Sequence, residues 1–146
     1  MVPAAPARVG TMSNELRQQA IRLLARREHT RAELARKLAG HGSPDEVAAV
    51  IDSLGATELQ SDRRAAESYV RSHADRLGAS RLRQDLRTRG VSDDLIAAQL
   101  AAGTLPDELE RARSVWRKKF AAAPENPREW ARQARFLQGR GFDAET

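Results

Sequence analysis

The residues that could carry out chemistry are few and scattered in this chain of 146 residues. The three histidines, His29, His41 and His73, lack two-histidine metal spacing, and no cysteine is present to act as a ligand or nucleophile. Asp93 and Asp94 are adjacent, but two carboxylates at the start of a helix are typical of capping rather than of acid–base catalysis. We therefore predict that the protein is not an enzyme and uses no metal and no cofactor.

The charge of the chain favours an anionic partner. Lysine and arginine number 25 against 20 aspartate and glutamate residues, which gives a net charge of +5, and only Lys37, Lys118 and Lys119 are lysines. The rigid guanidinium fork suits phosphates and carboxylates, so the arginine bias indicates recognition of such groups. A high genomic GC content would explain the same bias equally well.

Basic residues form three clusters, and some recur at fixed distances from glycines. One arginine lies nine residues before Gly90 and another nine before Gly141, and each of these glycines directly follows an arginine. A solvated helix face is the alternative explanation for any single cluster, and a cation in a last helical turn is favoured by the helix dipole. The candidate binding residues are Arg81, Arg87, Arg89, Lys118, Lys119, Arg132 and Arg140.

Helices must position these residues, because apolar residues recur at helical spacing almost throughout and no run alternates long enough for a strand. The first helix is predicted at residues 14–27. Thr30 with Glu33 and Ser43 with Glu46 are capping-box patterns, which start the next two helices. A longer helix is predicted at residues 62–77, and Ser80 is the expected cap of the helix that follows. The fold class is predicted to be all-α.

The helices repeat as a group. Gly42, Gly90 and Gly141 each follow a leucine by four residues and lie 48 and 51 residues apart, and each is expected to end a helix in the left-handed conformation. We predict a disordered segment at residues 1–12 and three tandem three-helix repeats at residues 13–55, 56–103 and 104–146. The last repeat is expected to be truncated, a few residues into its third helix.

The aromatic residues are few and lie mainly in the third repeat. Aromatic content is only 4%, which argues against platforms that stack successive bases of a single strand. We expect Trp116, Phe120 and Trp130 to belong to the core. His73, on the inner side of its helix, is expected to be a buried or half-buried structural histidine.

Three stretches of the sequence carry a family resemblance: ARREHTRAELARKL in the first repeat, LQSDRRAAESYVRSHADRLGASRLRQDLRTRGVSDDLI in the second, and ARFLQGRGFDAET in the third. Together they resemble the RecX family of recombination regulators, from about Leu16 to the last residue. The resemblance includes the order and spacing of three non-identical repeats rather than one short motif.

This resemblance implies an elongated, curved, all-helical protein that binds RecA filaments on single-stranded DNA within the helical groove. It implies inhibition of RecA ATP hydrolysis, strand exchange and coprotease activity, and hence negative modulation of recombination and of the SOS response. The seven candidate residues would contact RecA or DNA phosphates. We expect a monomer that binds bare DNA at most weakly.

A general DNA-binding protein that acts without RecA is the alternative, because short helices joined by a glycine turn resemble helix-turn-helix units. We expect no membrane association, since no stretch approaches the eighteen or so apolar residues of a membrane span. The lack of cysteine and of a secretory signal favours a cytoplasmic location.

Overall fold

Eight α-helices follow one another in the part of the chain that the computed structural model describes, namely residues 4–101 and 103–146, with side chains from residue 14 onward. Those residues contain no β-strand, so the all-α prediction is confirmed. No described helix combines the length and apolar character that crossing a membrane requires. The helices are α1 (Ala4–Arg26), α2 (Arg31–Leu38), α3 (Pro44–Ala56), α4 (Asp62–His73), α5 (Ala79–Thr88), α6 (Asp93–Gln99), α7 (Glu108–Lys119) and α8 (Pro127–Gly139).

The helices fold as two compact units. The first unit comprises the residues up to Ala65 together with Arg89–Val91, and the second comprises Ala66–Thr88 and Ser92–Thr146. The repeat boundaries given above follow helix order instead of this division, and they stay a prediction.

The first unit is built on one apolar core contributed by α1, α2 and α3. The apolar stripes of these helices lie where the helical spacing predicts them, and Leu23 and Leu24 of α1 are partly buried against the same core. Removing such side chains from water is the main stabilising contribution to the unit. The buried core residues are Leu16, Ala20, Leu34, Leu38, Val47, Val50, Ile51 and Leu54.

Side-chain caps begin α2 and α3, as the capping-box patterns predict. Thr30 Oγ1 accepts from the Glu33 amide at 3.1 Å, and Glu33 Oε1 accepts in return from the Thr30 amide at 3.1 Å. Ser43 and Glu46 exchange the same two bonds at 3.1 and 3.0 Å. Each exchange satisfies backbone amides that have no acceptor inside the helix.

The first helix begins ten residues before the predicted start. It includes residues 4–12, which we expected to be disordered, whereas residues 1–3 lie outside the described residues. Proline and small residues suggested disorder, but Pro6 lies in the first turn, where its missing amide proton has no intrahelical acceptor to lose. Alanine, the strongest helix former, recurs among the residues around it.

Helix α4 is shorter than predicted, and α5 starts earlier than predicted. Helix α4 ends at His73 rather than at residue 77, and α5 begins at Ala79, so Ser80 lies inside the helix and does not cap it. The carboxylate of Glu108 accepts from the Ala79 amide at 2.8 Å and replaces the expected cap. A partner from 29 residues away cannot be recognised from local sequence.

Left-handed glycines follow α2, α5 and α8, but in the first case the residue is Gly40 and not Gly42. Gly40, Gly90 and Gly141 have φ values of +85°, +83° and +91°. They are 50 and 51 residues apart, a more regular spacing than the one predicted. At Gly42, which has no left-handed φ, a Cβ would lie 2.6 Å from Leu16 Cδ1, so the buried leucine side chain would have to shift to make room for it.

Candidate functional site

Three of the seven candidate cations meet at one cavity of about 200 Å³ in the second unit. Lys118 and Lys119 lie in the last turn of α7, and Arg140 is the C-cap of α8. Cations are favoured at helix carboxyl ends, because the last carbonyl groups carry partial negative charge. The full lining consists of Asp75, Arg76, Val115, Lys118, Lys119, Phe136 and Arg140.

An aromatic ring forms part of the cavity wall, and two of these cations lie over it. Lys119 Nζ lies 5.6 Å and Arg140 Cζ lies 5.2 Å from the centre of the Phe136 ring. Both distances fall within the range of cation–π attraction. Phe120 packs edge-to-face on Phe136, with ring centres 5.4 Å apart. The ring pair is therefore a fixed support for the charged groups.

The cavity carries more positive than negative charge. Asp75 is its one acidic lining residue, and its carboxylate lies 3.8 Å from Arg76 Nε. Among the described residues, no carboxylate lies within ion-pair distance of Lys118, Lys119 or Arg140. These three cations are thus available to an anion from outside the chain.

Arg132 lies close to this cavity but is paired. Its guanidinium donates to both oxygens of Glu129, at 2.7 and 3.1 Å, and stands 5.4 Å from the centre of the Phe120 ring. The hydrogen bond from Arg132, assisted by one from Gln133, lowers the pKa of Glu129. Arg132 and Lys119 line a neighbouring surface cavity of about 430 Å³.

Arg81 and Arg87 are also held by partners within the second unit. Arg81 Nε donates to Asp85 at 3.2 Å, and its Nη1 donates to the carbonyl of Gly139 at 3.5 Å. Arg87 Nε lies 3.3 Å from Asp93. We interpret Arg81 as a structural link between α5 and the end of α8.

Arg89 belongs to the first unit, where its carbonyl accepts from Thr30 Oγ1 at 2.5 Å. It therefore does not line the cavity around Phe136. The role of each candidate residue in binding stays a prediction.

The aromatic residues of the third repeat divide between interior and surface. Trp116 is half-buried and donates from Nε1 to Gln133 Oε1 at 2.7 Å, and Phe120 is half-buried against Phe136. Trp130 is 63% exposed, so its assignment to the core was wrong. Gln133, one helical turn later on α8, occupies the buried position beside Trp116 instead. His73 is half-buried and stacks on Tyr69, as expected of a structural histidine.

No arrangement typical of a metal centre accompanies the cations. Within the described residues, no group of three or more histidine, aspartate or glutamate side chains is placed to hold a metal ion. The chemistry that this site supports is electrostatic binding of an anion.

Family models match the chain in three consecutive segments. They are described as the first, second and third three-helix domains of RecX, and they match residues 17–54, 61–100 and 106–146 respectively. The chain belongs to the RecX family. The repeats predicted from the glycine spacing correspond to these three domains in number and order.

Curated RecX proteins resemble the chain over most of its length. Regulatory protein RecX of Leptothrix cholodnii is 47% identical over 131 residues, which cover 89% of this chain and 83% of that protein. Regulatory protein RecX of Halorhodospira halophila is 46% identical over 139 residues, covering 93% and 86%. These relatives are named as regulatory proteins and not as enzymes.

Solved RecX structures share the fold. One, described as a crystal structure of regulatory protein RecX, has a TM-score of 0.78 at 22% identity and covers 97% of this chain and 74% of that chain. RecX from Lactobacillus salivarius has a TM-score of 0.77 at 21% identity and covers 93% and 92%.

Four of the seven lining residues were not among the candidates from the sequence, and two of these, Arg76 and Phe136, bear on the charge of the cavity. Arg76 follows α4 and reaches the cavity only through tertiary packing, and nothing in its local sequence singles it out. Phe136 precedes Arg140 by four residues on one helix, a spacing that brings side chains together. That spacing was the available signal for the contact between the ring and the guanidinium group.

Proposed function

We propose that the chain is a non-enzymatic regulator that binds RecA filaments on single-stranded DNA in the helical groove. Binding there inhibits RecA ATP hydrolysis, strand exchange and coprotease activity. The result is negative modulation of recombination and of the SOS response. The regulator acts in the cytoplasm as a monomer.

The ordered match to all three RecX domains carries this proposal. The curated relatives are named regulatory proteins, and the family resemblance supplies RecA as the regulated partner. The cavity around Phe136 supports an anionic component in the partner, because three of its cations have no carboxylate partner among the described residues. Inhibition requires only occupancy of the groove, with no bond-making by the chain.

The mechanism is steric and electrostatic. A helical array lodged in the groove spans successive RecA protomers and obstructs filament extension or the entry of duplex DNA. Basic side chains hold the array against negatively charged groups of the filament, and such contacts weaken as salt concentration rises. Filament inhibition should therefore decline at high salt.

The decisive measurement is the rate of DNA-dependent ATP hydrolysis by RecA, titrated with this protein at amounts far below equimolar. Inhibition at such amounts is the expected result and would indicate capping of the filament or occupancy of its groove. An unchanged rate at every ratio would contradict the proposal. Inhibition only at DNA-saturating amounts would indicate competition for the strand.

The alternative is a helix-turn-helix-like DNA-binding protein that acts without RecA. Sequence-preferring binding to bare duplex DNA, combined with no effect on RecA, would support it over the proposal. Both measurements can be made with the same preparation of the full chain.

A further inference from the structure

We infer that Arg76, Lys118, Lys119 and Arg140 form a phosphate-binding site, and that Phe136 positions two of these cations for it. The inference rests on the proposed function to the extent that DNA phosphates lie within the filament groove. It can nevertheless be tested without RecA.

The charge of the cavity favours an anionic ligand. Four cations and one carboxylate line a single concave surface, and the carboxylate of Asp75 is near Arg76 at 3.8 Å. The other three cations have no carboxylate partner among the described residues. Like charges held close together repel one another, so an anion that bridges them offsets this repulsion. A phosphate group offers several acceptor oxygens to such a set of donors.

Contacts within the chain position Arg140 at the cavity. The backbone of Arg140 is held on both sides: its amide donates to Phe136 and Leu137 carbonyls at 3.2 and 3.1 Å, and its carbonyl accepts from the Gly78 amide at 2.8 Å. The guanidinium group then lies 5.2 Å from the Phe136 ring centre. A cation that is already placed loses less conformational freedom when a ligand binds.

The neighbours of the Phe136 ring limit the kind of ligand group that it can contact. Lys119 and Arg140 lie over Phe136, and the Phe120 ring packs against it edge-to-face. These neighbours leave Phe136 as a support for cations and not as a stacking surface for a base. The chemistry of the site therefore favours phosphates over nucleobases. The phosphates can come from the backbone of single-stranded DNA or from a free polyphosphate.

The experiment measures fluorescence anisotropy of a labelled oligo-dT with the full chain, without RecA and over a range of salt concentrations. The triple variant K118Q/K119Q/R140Q should bind about ten-fold more weakly or worse. Each lost phosphate contact should lower the slope of log affinity against log salt by about 0.7. The triple variant R113Q/R128Q/R135Q removes three charges from exposed positions outside the cavity and should bind more nearly like the wild type. Equal losses in the two triple variants would overturn the site.

Phe136 is tested without changing charge. F136L should weaken oligo-dT binding about two- to five-fold, because the cation–π attraction is lost, while the salt slope stays constant. F136Y keeps the ring and should restore affinity. Wild-type affinity in F136L, with its helical circular dichroism intact, would overturn the positioning role.

Competition by inorganic tripolyphosphate distinguishes the two sources of phosphate. Displacement of oligo-dT by tripolyphosphate from the wild type, lost in K118Q/K119Q/R140Q, supports a site for a free phosphate chain. Failure to compete at matched ionic strength, with the variant still defective, supports the spaced phosphates of the DNA backbone. Retained binding of both probes by this variant, together with lost RecA inhibition, would overturn the phosphate site and indicate an acidic protein surface. Lost oligo-dT binding with intact RecA inhibition would support the site and separate it from the proposed function.

Discussion

Arg111 donates from Nε to the carbonyl of Ala74 at 2.9 Å, although the two residues are 37 positions apart. Its Nη2 donates to the Leu77 carbonyl at 3.0 Å, and the residue is only 7% exposed. No carboxylate of the described residues pairs with this buried charge. Backbone carbonyls after the end of α4 therefore compensate it, and Arg111 fixes the segment that leads into α5.

Replacing Arg111 should destabilise the second unit. In R111M the carbonyls of Ala74 and Leu77 lose their donor inside the protein, and each such loss costs about 1–3 kcal/mol. We expect the free energy of unfolding, measured by urea denaturation with circular dichroism, to fall by about 2 kcal/mol or more. R113M changes an exposed arginine two residues along the same helix and should have an effect within about 0.5 kcal/mol. Equal stability of the two variants would contradict the structural role of Arg111.

Gly141 and Gly40 provide a matched pair for separating backbone strain from steric contact. Both have φ near +90°, at +91° and +85°. A Cβ at Gly141 would lie 2.2 Å from Arg81 Cβ, whereas a Cβ at Gly40 would meet no atom within 4 Å. G40A should cost about 1–2 kcal/mol for the left-handed conformation alone. G141A should cost about 1–3 kcal/mol more, because the backbone of Arg81 must move.

Thermal and urea denaturation of G40A and G141A test this difference. An equal loss in the free energy of unfolding in G40A and G141A would mean that the close approach of Gly141 to Arg81 contributes nothing to the cost. G90A provides a third point, since a Cβ there would lie 2.4 Å from Ala32 Cβ. Its cost should also exceed that of G40A.

Much of the fold follows from local sequence, because caps and apolar stripes depend on residues within four positions of one another. The capping boxes at Thr30 and Ser43 are examples of such local signals. The prediction that Gly42 is left-handed was wrong because Gly40 also follows α2, and the local sequence does not say which of the two adopts that conformation. The burial of Arg111 could not be foreseen, since its carbonyl partners lie more than thirty residues away.

In the candidate site, too, some residues could be identified from the local sequence and others could not. Lys118 and Lys119 stand out as a charged pair at a helix end, and Arg140 stands out by recurrence beside its glycine. Arg81 recurs in the same way, yet the structure uses it to contact Gly139 and Asp85. Recurrence identifies positions that repeats share, but it does not distinguish binding from packing between helices.

His29 should make the stability of the first unit depend on pH. Its side chain is buried: Nδ1 donates to the Arg27 carbonyl at 2.9 Å, and Nε2 lies 3.1 Å from Lys37 Nζ, from which only a neutral ring can accept. Burial lowers the pKa of His29, and the charges of Arg27 and Lys37 lower it further, against the opposing backbone hydrogen bond. The unfolded chain therefore binds a proton at about pH 6.5, before the folded chain does.

The sign of the effect follows from this difference in pKa. The stability contribution of neutral His29 is fully present above about pH 6.5 and is lost as pH falls through the pKa of the folded state. One proton changes the free energy of unfolding by at most about 1.4 kcal/mol per pH unit. Melting temperatures between pH 7.5 and 5 should fall less steeply in H29Q than in the wild type. H41Q alters an exposed histidine and should keep the wild-type slope.

Glu33 contributes a separate dependence at lower pH. Burial alone would raise its pKa, but the hydrogen bonds from Arg27 and from the Thr30 amide, with the charge of Arg27, outweigh burial and lower the pKa. Its stabilising contribution is present above the pKa of an unfolded glutamate and is lost as pH falls through the lower folded value. A pH titration of H29Q should therefore retain the transition below about pH 4.3. Loss of that transition in H29Q would show that the two groups titrate as one.

Phe142 and Trp130 should differ sharply in their effect on stability, although both are large aromatic residues of the third repeat. Phe142 is 3% exposed and packs with Ala112 and Val115, whereas Trp130 is 63% exposed. F142A should lower the free energy of unfolding by about 3–5 kcal/mol, because it leaves a cavity in a packed cluster. W130Q should change it by about 0.5 kcal/mol at most, as expected of an exposed site. Urea denaturation followed by circular dichroism at 222 nm measures both effects. A loss of stability in W130Q as large as that in F142A would contradict the exposed position of Trp130.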